Sequence, residues 1–176
     1  MAQRERIGLV GVGNMGGPMA RCLAKAAFPV MLFDTKKEAT EPFRGETNLF
    51  SVAPDLPTLG AECRTVITML PDSKIVRAAT FGADGRGGFG SRLAKGSVVI
   101  DMSSSYPIDT QKLGEELEKK GIALVDAQCR AACQKRSPGS SRSWPAARPP
   151  TSTGSRARSR PWAPCTEPGY SARATP

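Results

Sequence analysis

Residues 7–16 read IGLVGVGNMG, and this decapeptide constrains the chain more than any other. An apolar strand pattern, Ile7 to Val10, runs directly into Gly11, Gly13 and Gly16, and a helical pattern with Met19, Leu23 and Ala24 follows. A G-x-G-x-x-G turn between a strand and a helix is the dinucleotide fingerprint in its required context. Gly11 permits the tight turn. Gly13 leaves room for a pyrophosphate to approach the backbone, and Gly16 lets helix and strand pack closely. The phosphates then meet free N–H groups where the helix begins.

A second feature supports the first. Pro29 to Phe33 is a short apolar run suited to a buried parallel strand. Asp34 follows, 23 residues after Gly11, near the roughly 20-residue spacing of a ribose-binding acid. A carboxylate there accepts hydrogen bonds from ribose hydroxyls and repels a 2′-phosphate. The expected cofactor is therefore NAD. Lys36 and Lys37 keep NADP open, since either lysine could meet a phosphate. Asp34 as a plain strand-end or capping residue is the simpler alternative.

The two parts of the chain differ in kind. Residues 1–126 carry 16 Lys+Arg against 15 Asp+Glu, while residues 127–176 carry nine basic residues and only Glu167. That second stretch has eight Pro and eight Ser and no Ile, Leu, Val, Met or Phe. Such a composition buries too little apolar surface to offset backbone ordering. One folded domain is expected at 1–126, with a disordered basic tail at 127–176. The net charge of +9 belongs almost wholly to the tail, so it says little about the partners of the folded part. Specific nucleic-acid binding is not expected, although a basic tail attracts polyanions weakly. Met1 to Arg6 shows no signal-peptide core, and no apolar run approaches a membrane span. A cytoplasmic location is expected. The chain has five cysteines without metal-ligand spacing and no histidine, so no metal site is expected.

Alternating patterns predict strands at 6–10, 30–33, 49–52, 65–70, 97–101 and 122–125. Helices are expected at 14–26, from Lys36, at 73–80 and at 107–120, with a short turn near Leu93. Residues 35–61 carry Pro42, Pro54 and Pro57 and are the least patterned region. This order implies an α/β fold of the Rossmann type, a doubly wound and mostly parallel sheet. Ligands bind outside the carboxyl ends of such strands. Asp72-Ser73, Ser103 to Ser105 and Asp126 lie at strand ends; each is a candidate ligand contact, with a helix cap, a turn residue and a plain strand end as the respective simpler readings.

IGLVGVGNMGGPMARCL, FDTKKE, VITMLPDS, GSVVIDMSS and GIALVDA, taken together and in order, resemble the N-terminal domain of the beta-hydroxyacid dehydrogenases, of the 3-hydroxyisobutyrate dehydrogenase type. The 6-phosphogluconate dehydrogenases contain a similar domain. The resemblance covers roughly residues 5–127, and residues 42–60 match least well. It implies that Gly11, Gly13, Asn14, Met15 and Gly16 hold the pyrophosphate of NAD(P) and that Asp34 meets the adenosine ribose. It further implies that Leu70 and Pro71 line the cofactor, that Ile75 stands beside it and that Ser104 reaches the nicotinamide end. The implied reaction is hydride transfer between nicotinamide and the hydroxyl-bearing carbon of a small hydroxy acid.

After Ala127 the family pattern stops. The family continues Asp-Ala-Pro-Val-Ser-Gly-Gly, a loop that binds the substrate carboxylate, whereas this chain continues Gln128-Cys129-Arg130-Ala131-Ala132-Cys133. With GC-rich codons chosen for these residues, a reading begun one nucleotide earlier gives Pro-Val-Ser-Gly-Gly-Val. The same shift carried through Arg148 can give SEAVAGILAIMAGG, the family's continuation. The tail thus reads as an out-of-frame translation of a dehydrogenase gene. The resemblance places the proton-transferring lysine and the dimer interface in the part this tail replaces. Lys135 has no family motif around it, so no catalytic residue is assigned and no family dimer is expected. The alternative is a truncated NAD(P)-binding module without catalysis.

Overall fold

In a computed structural model, residues 4–82 and 87–128 are described. The expectations for the tail from residue 129 onward lie outside these residues. Six strands form one sheet: β1 (Ile7–Val10), β2 (Val30–Phe33), β3 (Phe50–Val52), β4 (Thr65–Thr68), β5 (Val98–Asp101) and β6 (Ala123–Asp126). Their spatial order is β3-β2-β1-β4-β5-β6 and every pair is parallel. This is the doubly wound arrangement read from the sequence. The chain runs outward from β1 in one direction and then, from β4, in the other. That reversal opens a crevice at the carboxyl ends of β1 and β4.

The helices are α1 (Gly16–Lys25), α2 (Lys37–Thr40), α3 (Leu56–Glu62), α4 (Ser73–Phe81) and α5 (Pro107–Glu118). The sheet separates two apolar layers. On one side Leu9, Val30, Leu32 and Ile67 pack with Ala20 and Leu23 of α1 and with Phe43. On the other, Val10, Met31, Val66 and Val99 pack with Leu59 of α3, Val76 and Ala79 of α4, and Leu113 and Leu117 of α5. Leu9, Val30, Leu32, Leu59, Val66 and Leu117 are fully buried, and each such side chain stabilises the fold by roughly 1.5–3 kcal/mol. Alternation along β1 sends Leu9 to one layer and Val10 to the other, which is why central parallel strands read as unbroken apolar runs.

Several boundaries differ from the sequence reading, each for a local reason. The apolar run 65–70 ends as a strand at Thr68: Met69 N–H still bonds the Val10 carbonyl at 2.9 Å, but the Leu70 N–H turns to the Ser103 hydroxyl instead of a strand neighbour. Helix α3 lies in the least patterned region and is not among the helices expected from sequence. Asp55 caps it by accepting the Thr58 N–H at 2.7 Å, and Pro57 sits in the first turn, where no N–H is required. The helix begun near Lys36 is one short turn that passes into a 3-10 turn at Glu41–Phe43. The turn expected near Leu93 lies at Phe89–Ser91 instead, where the fully buried Phe89 fixes it.

The last strand is covered on one side. Leu124 faces α5, where a Cβ placed on Gly114 would lie 3.5 Å from the Leu124 side chain. Val125, on the opposite side, is 46% exposed.

Candidate functional site

The crevice holds a cavity of about 520 Å³, within the range of small-molecule and cofactor sites. Its walls come from four segments. Val10, Gly11 and Gly13 supply the end of β1 and its turn; Phe33, Asp34 and Lys36 follow β2. Met69, Leu70 and Pro71 follow β4, and Ile75, Ala78 and Ala79 belong to α4, with Leu56 of α3 closing the side.

The three glycines have separable reasons. Gly11 has φ +94°, a left-handed conformation that disfavours any side chain. A Cβ at Gly16 would lie 1.9 Å from the Gly11 carbonyl oxygen, so helix and turn approach only because no side chain intervenes. At Gly13 a Cβ would meet nothing within 4 Å. Packing does not demand that glycine. The space it leaves lies on the cavity side of the turn, at the opening of α1, where Gly17 N–H already bonds the Gly13 carbonyl at 2.9 Å.

At the end of β2 the Asp34 carboxylate accepts the Val12 N–H at 2.8 Å and the Lys36 N–H at 2.9 Å. Each oxygen keeps a second lone-pair direction for a hydroxyl donor. The wall opposite is apolar. Leu56, Ile75, Ala78 and Ala79 line it, and Ile75 is 42% exposed.

Of the residues proposed from sequence, Gly11, Gly13, Asp34, Leu70, Pro71 and Ile75 line this cavity together. Gly16 stands behind the turn, buried against Gly11. Asn14 is exposed and Met15 half-buried where α1 opens, and Ser104 is exposed after β5. Two strand-end acids resolve as follows. Asp72 caps α4 by accepting the Ile75 N–H at 2.9 Å. Asp126 accepts the Gln128 N–H at 3.3 Å. Ser103, one of the hydroxyls weighed as a ligand contact, is buried and accepts the Leu70 N–H at 2.9 Å.

Leu56, Ala78 and Ala79 escaped the sequence reading. Ala78 and Ala79 follow Ile75 by three and four positions, the spacing of one helix face, so they were findable once Ile75 was chosen. Leu56 required knowing that α3 exists. Among the described residues no group of His, Cys, Asp and Glu could hold a metal ion, and no helix is long and apolar enough to cross a membrane. Burial pushes the Cys63 thiol up to about 11, which leaves it unreactive at neutral pH.

A parallel sheet in the order 3-2-1-4-5-6, with a glycine turn and an acid at the ends of its first two strands, defines a Rossmann dinucleotide-binding domain. The model of the family described as the NAD binding domain of 6-phosphogluconate dehydrogenase matches residues 6–130. The chain belongs to that family, as an N-terminal NAD(P)-binding domain of the beta-hydroxyacid dehydrogenases. It is 36% identical over 129 residues to the mitochondrial 3-hydroxyisobutyrate dehydrogenase of Bos taurus, covering 72% of this chain and 36% of that protein. It is 32% identical over 120 residues to the 3-sulfolactaldehyde reductase of Escherichia coli, covering 68% and 39%. The fold matches that of 3-hydroxyisobutyrate dehydrogenase from Mycobacterium tuberculosis with L-serine at a TM-score of 0.60 and 26% identity, over 69% of this chain and 39% of that one. The chain thus spans less than half the length of these relatives.

Proposed function

We propose that this chain is the cofactor-holding part of an NAD(P)-dependent dehydrogenase of small hydroxy acids, with NAD preferred. The observation that carries the reading is the placement of Asp34 and Gly13 on one cavity at the reversal point of the sheet. Gly13 provides the open approach for a pyrophosphate, with Asn14, Met15 and Gly16 presenting the start of α1 to it. Asp34 takes the adenosine ribose, and the apolar wall of Leu56, Ile75, Ala78 and Ala79 takes the adenine. Leu70 and Pro71 form the floor toward the nicotinamide, and Ser104 stands at that end. The bound nicotinamide supplies the hydride acceptor.

Turnover further needs a proton acceptor at the substrate hydroxyl and donors for its carboxylate. Lys36 lines the cavity but stands beside Asp34, at the ribose end. In this proposal the chain binds cofactor and does not complete turnover by itself, and residues 127–176 are an out-of-frame segment. The test is a fluorescence titration with NADH and NADPH, followed by assays of NAD(P)-dependent oxidation of 3-hydroxyisobutyrate, D-glycerate and L-serine. Binding without turnover is expected. Turnover abolished by Lys135→Ala and kept in Lys95→Ala would overturn the proposal. The coding DNA checks the tail independently: one nucleotide inserted near codon 128 should open a long dehydrogenase frame.

A further inference from the structure

We infer that Asp101 is a positioning residue for the cofactor cavity, one that holds the Leu70–Pro71 wall in place without touching the cavity itself. Asp101 ends β5 and is 1% exposed. Its Oδ1 accepts the Thr68 hydroxyl at 2.8 Å and the Ser103 N–H at 3.0 Å. Its Oδ2 accepts the Ser105 hydroxyl at 2.7 Å. The peptide groups at the same level continue the pattern. Met102 N–H bonds the Thr68 carbonyl, and Ala127 N–H bonds the Asp101 carbonyl, both at 2.9 Å. The Ser105 carbonyl in turn accepts the Gln128 side-chain amide at 2.9 Å. One buried carboxylate therefore joins the end of β4 to the loop after β5, and the Asp101 and Ser105 carbonyls reach the loop after β6.

The relay reaches the cavity through Ser103. With its N–H held on Asp101, Ser103 turns its hydroxyl oxygen to the Leu70 N–H at 2.9 Å. Leu70 is the point where the chain has left β4 and has no ladder partner to set its height. Leu70 and Pro71 are cavity wall. A buried carboxylate needs its donors, so displacing the end of β4 or the loop after β5 leaves part of it unpaired at a cost. An amide in its place either turns its NH2 group against the Ser103 N–H or obliges the Ser105 hydroxyl to accept where it now donates. Ser104, exposed between two serines engaged in this network, is held in place by the same contacts. The inference rests on the proposed cofactor reading of the cavity.

The test uses the full chain with Asp101→Asn and the pair Thr68→Val and Thr68→Ser. Val removes the hydroxyl donor at nearly constant shape, and Ser restores it. Two quantities are read: NADH affinity by fluorescence titration, and hydrogen exchange of the Leu70 and Leu9 amides without ligand. Asp101→Asn and Thr68→Val should weaken NADH binding roughly five- to tenfold and speed Leu70 exchange, with Leu9 protection unchanged. Thr68→Ser should stay within about twofold of wild type on both readings. Unchanged NADH affinity in Thr68→Val, or equal loss of protection at Leu9 and Leu70, would overturn the positioning role. Should Asp101→Asn not fold, the threonine pair decides alone. A wild-type chain that binds neither NADH nor NADPH refutes the cofactor reading, and this inference falls with it.

Discussion

The Asp34 carboxylate accepts the backbone N–H of Val12 across 2.8 Å, which ties the acid after β2 to the middle of the glycine turn after β1. The same group is assigned two tasks, holding the turn and recognising a ribose. Asp34→Ala should therefore do two things. NADPH affinity should rise relative to NADH, because the like charge facing a 2′-phosphate is gone. Stability should fall by about 1–2 kcal/mol, because the Val12 and Lys36 N–H groups lose their acceptor. Paired titrations with both cofactors and a denaturant melt check this. An unchanged NADH-to-NADPH ratio would remove Asp34 from the ribose site.

Gly13 and Gly16 should respond in opposite ways to the same methyl group. At Gly13 the methyl enters open space, so Gly13→Ala should melt close to wild type and lose at least about tenfold in NADH affinity as the pyrophosphate approach closes. At Gly16 the methyl meets the Gly11 carbonyl. Gly16→Ala should lower stability by about 3 kcal/mol or more by forcing helix and turn apart. Thermal melts with cofactor titrations separate the two. Equal melting temperatures for both variants would contradict the packing argument for Gly16.

Ala27→Gly should stabilise the chain. Helix α1 ends with Ala27 at φ +60°, Phe28 N–H on the Leu23 carbonyl and Ala27 N–H on the Ala24 carbonyl. After α5 the same pattern recurs, with Ile122 N–H on Leu117 and Gly121 N–H on Glu118, but there the left-handed residue is Gly121 at φ +73°. Glycine removes the left-handed penalty of roughly 1–2 kcal/mol and returns part of it as unfolded-chain entropy. A net gain of about 0.5–1 kcal/mol is expected, read as a raised denaturation midpoint with an unchanged slope.

Acid should loosen the helices on the α3, α4 and α5 side. Arg77 holds the Glu116 carboxyl below the usual carboxylate range, and Thr58 does the same for Asp55. A folded-state pKa below the unfolded value contributes stability that is present above the unfolded pKa and is lost as pH falls through the folded one. The loss should therefore begin near the ordinary carboxylate range, about pH 4, and continue below it. The Arg77 and Glu116 side chains are 53% and 39% exposed, so solvent screening keeps the pair to about 0.5 kcal/mol. A pH series of melts with Glu116→Gln isolates that share. Identical acid limbs for variant and wild type would show that the pair contributes nothing.

The strand runs 7–10 and 30–33, the glycine turn and Asp34 were legible in the residues alone, because each depends on local chemistry. A central strand buried on both sides needs a continuous apolar run, and a left-handed turn favours glycine. Much of the site followed too, since Gly11, Gly13 and Asp34 sit at ends that the alternation of strands and helices places on one edge. Helix α3 did not follow, because Pro57 reads as a breaker until Asp55 is seen capping the turn ahead of it. Ser103 looked as available to a ligand as Ser104. Only the packing of β5 beside β4, with Thr68 opposite Asp101, commits one serine to the Leu70 N–H and leaves the other exposed. Local propensity acts along the chain, whereas a hydrogen bond between residues 33 positions apart is decided by which strands lie side by side.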